Sequence, residues 1–187
     1  MLKQVFDRFD TAYEYRFPRP MIEYIKDNNK KDGLVGVEIG TQRGVNAYNI
    51  LSLLPVKELY LVDPYSFYSY NGQSSGAVDP DSIQRRYLLQ ARQRLKKFKD
   101  RVRFIYYKSE NAVRFIPDDL DFVYIDGNHD YSFVRKDIWL YWKKIRKGGI
   151  LGGHDINHSD VFKAVSEFRQ HEDKYIFVRR KDWWFVK

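Results

Sequence analysis

FVYIDGNHDYSFVRKDIWLYWKKIRKGGILGGHD, residues 122–155, carries a strand–helix–strand unit in one run. LDFVYI at 120–125 is a short apolar stretch of the kind that forms a strand buried on both faces. SFVRKDIWLYWKKIR at 132–146 reads as a helix, with Gly148-Gly149 as its stop. A strand resumes at 149–152. Polar residues gather where each strand ends: Asp126-Gly127-Asn128-His129 after the first, Gly153-His154-Asp155 after the second.

The same alternation extends in both directions. Upstream, LVGVEI (34–39) is a strand, 44–53 a helix, and ELYLV (58–62) a strand ended by Asp63-Pro64. Asp79-Pro80-Asp81 opens a helix running to about residue 98, with Ile83, Tyr87, Leu88, Ala91, Leu95 and Phe98 as one apolar stripe. VRFIYY (102–107) is a strand, and a helical turn spans 111–115. Downstream, 160–170 is a helix, and KYIFVR (174–179) and WWFVK (183–187) are strands. Their connection is too short for a crossover helix, so they pair as an antiparallel hairpin. The expected fold is α/β: a Rossmann-like three-layer sandwich around a mostly parallel seven-stranded sheet, closed by a C-terminal antiparallel hairpin. It forms one domain over 1–187, with 34–187 as core and 1–33 as a partly helical extension over part of the site.

At 187 residues, with 43% hydrophobic and 31% charged, the chain suits a single globular domain. It has no cysteine, which excludes disulfides and thiolate metal sites. No apolar run approaches the roughly 18 residues of a membrane span, and charges interrupt any signal-like N-terminus. The chain therefore reads as cytoplasmic, with no membrane partner. The net charge of +8 is concentrated: residues 84–108 hold ten Lys/Arg against the single acid Asp100. Such a patch suits either a solvated helix face or a polyanion.

Ligands of open α/β sheets sit at the carboxyl ends of the strands. There the sequence places Glu38-Ile39-Gly40-Thr41-Gln42-Arg43-Gly44, then Asp63, Ser109-Glu110, Asp126-Gly127-Asn128-His129 and His154-Asp155. Gly40 and Gly44 permit a tight turn and close backbone approach. Asp63 stands where an acid accepts hydrogen bonds from ribose hydroxyls. Glu38 and the missing third glycine of G-x-G-x-x-G disfavour a pyrophosphate, and with it an NAD-dependent oxidoreductase. They favour a ligand bearing a cation, such as a sulfonium ion with an α-amino group.

The motif Glu38-x-Gly40-x-x-x-Gly44 with Asp63 resembles the first motif and ribose-binding acid of class I S-adenosylmethionine-dependent methyltransferases. The 122–155 stretch resembles the D-G-x-H-x-Y…D…W…L…GG…D pattern of the subgroup containing macrocin O-methyltransferase-like and cephalosporin hydroxylase-like proteins. It is similar, more distantly, to metal-dependent catechol-type O-methyltransferases. The resemblance covers roughly 34–187. It implies that Glu38, Gly40, Thr41, Gly44 and Asp63 bind the amino acid and ribose parts of S-adenosylmethionine. It places Ser109 and Glu110 beside the adenine and Asp126 under the methyl donor. It also implies a divalent ion, Mg²⁺ or Mn²⁺, on Asp126 and Asp155. His154-Asp155 departs from the acid pair or Asp-Asn of the metal-dependent relatives, so activity is expected not to require that ion strictly.

Methyl transfer needs an aligned nucleophile and a group to take its proton. His129 is the expected base or acceptor-orienting residue, with His154 second and Asp126 beside them. The aromatic loop 64–78, with Tyr65, Phe67, Tyr68 and Tyr70 followed by Gly72 and Gly76 as hinges, is expected to act as a lid. The expected acceptor is a hydroxyl of a small molecule or sugar. Little chain remains for a substrate cap, so the substrate is small or a second copy, in a homo-oligomer, completes the pocket. Two other readings stand beside this one: a nucleic-acid methyltransferase using the 84–108 patch, and a non-catalytic ligand-binding module that kept the fold.

Overall fold

Each apolar run singled out above is a strand of one seven-stranded sheet in a computed structural model, which describes residues 17–66 and 80–187. The segment before Phe17, the Asp79 cap and loop residues 67–78, including most of the expected lid, lie outside the described residues. The strands are β1 (Leu34–Ile39), β2 (Val56–Val62), β3 (Val102–Ile105), β4 (Leu120–Ile125), β5 (Ile145–Gly153), β6 (Phe177–Arg179) and β7 (Asp182–Val186). The helices are α1 (Pro20–Asn28), α2 (Val45–Leu53), α3 (Pro80–Arg94), α4 (Ser109–Ala112), α5 (Tyr131–Lys144) and α6 (Ser159–Glu172).

The sheet order is β3-β2-β1-β4-β5-β7-β6. Neighbours from β3 to β5 run parallel, and β7 runs antiparallel to both β5 and β6. The expected three-layer α/β architecture and closing hairpin are therefore present, with β7 inserted between β5 and β6.

Alternation along the strands builds two cores, because successive side chains point to opposite faces. Val37, Ile39, Val123, Ile125, Leu151, Trp183 and Phe185 pack with α4, α5 and α6 on one face. Leu34, Leu59, Leu61, Phe122, Tyr124 and Trp184 pack with α1, α2 and Leu95 on the other. Phe168 of α6 anchors the first layer, its ring 5.2 Å from those of Trp139, Trp142 and Phe185.

Two polar joints tie the layers. Buried Asp121 accepts from Lys31 Nζ and Val35 N at 2.8 Å and from Arg146 Nε at 2.7 Å. Fully buried Asp182 accepts from Met21 N at 3.0 Å and Tyr124 Oη at 2.9 Å, which fastens α1 to β4 and β7. Burial pushes the Asp182 carboxyl up to about 6.

The expected stop of α5 is corrected. The helix ends at Lys144, and Ile145 already pairs with Leu120 as the first residue of β5. Register then slips before Ile150 meets Phe122. Gly148, at φ 75°, and Gly149 belong to that bulge, and a Cβ on Gly149 would fall 2.6 Å from Ile145 Cγ2. The glycines serve a β-bulge instead of a helix cap. At β3 the strand stops at Ile105, leaving Tyr106 and Tyr107 partly exposed beyond it.

Candidate active site

The loops after β1 and β4 diverge at the point where the strand order reverses, and this opens a crevice at the carboxyl edge. The cleft there holds about 420 Å³. Its β1 wall is a tight loop with Gly40, Gln42 and Gly44 all at positive φ. Gly40 is required twice over: its φ is 87°, and a Cβ would stand 2.1 Å from the carbonyl oxygen of Asp126. Gly44 faces Ala91 behind the loop and does not line the cleft.

Glu38 and Asp63 are the two acids of this side of the cleft. Glu38 is 1% exposed; Oε1 accepts from Asn46 Nδ2 at 3.0 Å, while Oε2 has no hydrogen-bond partner. Thr41 Oγ1 and Asn46 Oδ1 are also buried without partners. Burial pushes the Glu38 carboxyl up to about 8, so it holds its proton at neutral pH in the free protein. Asp63 accepts from Gln42 N and Tyr65 N, both at 2.8 Å, and Tyr65 Oη donates to Gln42 O at 2.9 Å. Burial raises the Asp63 carboxyl above its ordinary range.

Across the cleft, the ends of β4 and β5 bring two acids and two imidazoles together. His129 Nε2 lies 3.1 Å from Asp155 Oδ2 and 3.8 Å from Asp126 Oδ1. His154 Nδ1 lies 3.0 Å from Asp155 Oδ2 and 3.9 Å from Asp126 Oδ1. The carboxylates of Asp126 and Asp155 hold His129 up at about 9, so the imidazole carries a proton at neutral pH in the free protein. The two imidazoles pull the Asp155 carboxyl well below the usual range. Asp126, His154 and Asp155 each offer a ligand atom within 4.8 Å of the others, enough to hold a divalent cation. A donor set of two carboxylates and one imidazole suits Mn²⁺-like ions better than Mg²⁺, which prefers all-oxygen ligation.

A smaller hollow adjoins the cleft between the ends of β2 and β4, with Ser109, Asn128, Phe133 and Asp137 around it. Ser109 Oγ donates to Asp137 Oδ1. Asp137 is buried, which pushes its carboxyl up to about 7. Glu110, expected beside Ser109, lines neither hollow: its carboxylate pairs with Lys136 on α5.

Four contributors were missed in the sequence. Asp137 sits on the buried face of α5 between Val134 and Ile138, and an acid inside an apolar stripe is a signal that periodicity alone offers. Gln42, in the glycine loop, and Asn46, in the 44–53 helix, flank Gly44 and carried no functional signal of their own. Arg19 comes from the N-terminal extension and reaches Asp126 Oδ2 at 3.4 Å, a contact spanning 107 positions that no local pattern announces. Half of the ten cations of the 84–108 patch bond to groups of their own molecule. Arg92, Arg94, Lys97 and Arg101 donate to Tyr106, Arg43, Tyr48, and Val56 with Leu51, respectively, and Arg103 pairs with Glu58.

A methyltransferase-domain family profile matches residues 37–156, from β1 through the end of β5. The chain belongs to that family. Among curated proteins, the chain is 26% identical over 135 residues to protein R132 of Acanthamoeba polyphaga mimivirus. That match covers 70% of the chain and 55% of the viral protein, so the chain spans little more than half of its relative. Among solved structures, the O-methyltransferase NovP superposes with a TM-score of 0.64 at 20% identity, over 89% of this chain and 76% of its own. SMU.1697c of Streptococcus mutans, solved in complex with SAH, gives 0.64 at 13% identity, over 91% and 99%. At these identities the likeness shows the class I methyltransferase fold. Among the described residues, no helix is long and apolar enough to cross a membrane.

Proposed function

We propose that this methyltransferase uses S-adenosylmethionine to methylate a hydroxyl of a small molecule or sugar. The observation that carries the reading is one continuous cleft: buried, unsatisfied acceptors at one end and the Asp126–His129–His154–Asp155 cluster at the other. Glu38 Oε2, Thr41 Oγ1 and Asn46 Oδ1 are buried without donors, and an α-ammonium group brings three. Asp63 suits ribose hydroxyls, and the Ser109 hollow suits the base. The residues present fit S-adenosylmethionine, whose sulfonium would supply an electrophilic methyl group.

On the acceptor side, protonated His129 donates a hydrogen bond that orients the attacking oxygen. To serve as base it must first surrender the proton that Asp126 and Asp155 hold on it. The donor set of Asp126, His154 and Asp155 fits a divalent ion, which would lower the pKa of an acceptor hydroxyl. Their convergence favours metal assistance over the metal-independent chemistry expected from the His154-Asp155 sequence.

The deciding experiment is calorimetric titration with S-adenosylmethionine, with NAD as control. Micromolar binding that Asp63→Ala abolishes supports the proposal. A folded protein that binds neither ligand overturns it in favour of a non-catalytic module. Loss of turnover with EDTA and recovery with Mn²⁺ tests the metal.

A further inference from the structure

A second hollow, about 410 Å³, opens on the far side of His154. It meets the cofactor cleft at Arg19 and His154, which line both. His154 forms the partition: Nδ1 faces Asp155, while Nε2 lies 4.0 Å from Asp182 Oδ1. Anything bound in this hollow lies beside the acid–imidazole cluster.

The hollow has two unlike walls. Phe17, Pro18 and Pro20 make one wall apolar, and Phe17 is 42% exposed. Arg180 and Lys181, in the turn between β6 and β7, make the other cationic. The single acid here, Asp182, spends both oxygens inward on Met21 N and Tyr124 Oη. Arg19 faces Asp126. In the run Arg179-Arg180-Lys181 the first cation pairs with Glu23 at 3.2 Å. The other two have no side-chain ion-pair partner among the described residues, and both are exposed. Arg180 also holds a φ of 55°, backbone that favours Gly or Asn, at a position where this chain carries a guanidinium.

We propose that this hollow is the acceptor subsite and that the acceptor carries an oxyanion, held by Arg180 and Lys181, on an apolar body packed against Phe17. The proposal rests on the methyltransferase reading above and names the substrate class for that site. Cations on flexible side chains fix the charged end, leaving the apolar body to set reach toward His129.

The test uses the full chain and three probes of one size: phenyl phosphate, benzoate and neutral benzyl alcohol. Each is titrated calorimetrically with and without saturating S-adenosylhomocysteine. The expected result is that at least one anion binds at least tenfold tighter than the alcohol. Preference between the two anions tells phosphate from carboxylate acceptors. Arg180→Asn with Lys181→Gln should cost at least tenfold for the preferred anion and leave S-adenosylhomocysteine affinity unchanged. Both positions are exposed, and Asn tolerates the backbone at 180, so the variant keeps its fold. Equal binding of all three probes, or anion binding indifferent to the double substitution, overturns the proposal. Failure of S-adenosylhomocysteine alone counts against the cofactor reading, and the anion titration of the free protein still decides the hollow.

Discussion

Replacing Glu38 with Gln should stabilise the fold increasingly with pH while removing cofactor binding. The Glu38 carboxyl is buried, has one oxygen without a partner, and is raised from 4.5 to about 8. An acid whose folded pKa lies above its unfolded value contributes stability that is complete below about 4.5 and lost as pH rises towards 8. The slope reaches about 1.4 kcal/mol per pH unit, so wild type loses about 2 kcal/mol through this group between pH 6 and pH 8. Gln keeps the shape and cannot ionise. The difference between E38Q and wild type should therefore widen by about 2 kcal/mol over that interval, with the variant the more stable. Urea unfolding at pH 6, 7 and 8, followed by tryptophan fluorescence, measures it. The same group predicts that ligand binding at pH 7 releases about one proton, because the carboxyl must ionise to meet an ammonium. Calorimetry in two buffers of different ionisation enthalpy reads that number, and E38Q should release none. A stability difference that stays constant with pH would refute the reasoning.

Gly40→Ala should cost about 2–4 kcal/mol, because the new methyl meets the Asp126 carbonyl at 2.1 Å on backbone at φ 87°; a lowered thermal midpoint checks it. Phe168→Ala should cost about 3–5 kcal/mol by emptying the space among Trp139, Trp142 and Phe185, seen as a lower urea midpoint with little change in cofactor affinity. Asp63→Ala should loosen the loop it holds through Gln42 N and Tyr65 N and reduce S-adenosylmethionine affinity at least about 100-fold by calorimetry. Mn²⁺ should raise the thermal midpoint more than Mg²⁺ does, and His154→Ala should abolish the difference.

The fold was legible because strands buried on both faces appear as short runs that are apolar but for a single acid, as in 34–39 and 120–125. The boundary at Lys144 was not. Ile145-Arg146-Lys147-Gly148-Gly149 has the composition of a helix tail, and only its pairing with Leu120 makes it the start of a strand. Part of the candidate site was legible for a related reason. Residues immediately after buried strands must sit at the sheet's edge, so Glu38, Asp63, Asp126, His129, His154 and Asp155 could be collected from strand ends. Groups that enter from the side escaped, as Arg19 does across the end of β4 and Asp137 does from the middle of α5. Charge was misleading where it was locally dense. The 84–108 cations look like a surface field in one dimension, and in three dimensions half of them hold carbonyls, hydroxyls or a carboxylate of their own molecule.

The position of β7 has a consequence for cooperativity. Its neighbours in space, β5 and β6, both precede it in the chain, and it contributes Trp183 and Phe185 to one core and Trp184 to the other. Because β6 pairs only with β7 among the described residues, the two join the sheet as one hairpin, and that hairpin supplies side chains to both helical layers. Loosening one layer pulls on the strand that closes the other, so the two should come apart in a single event.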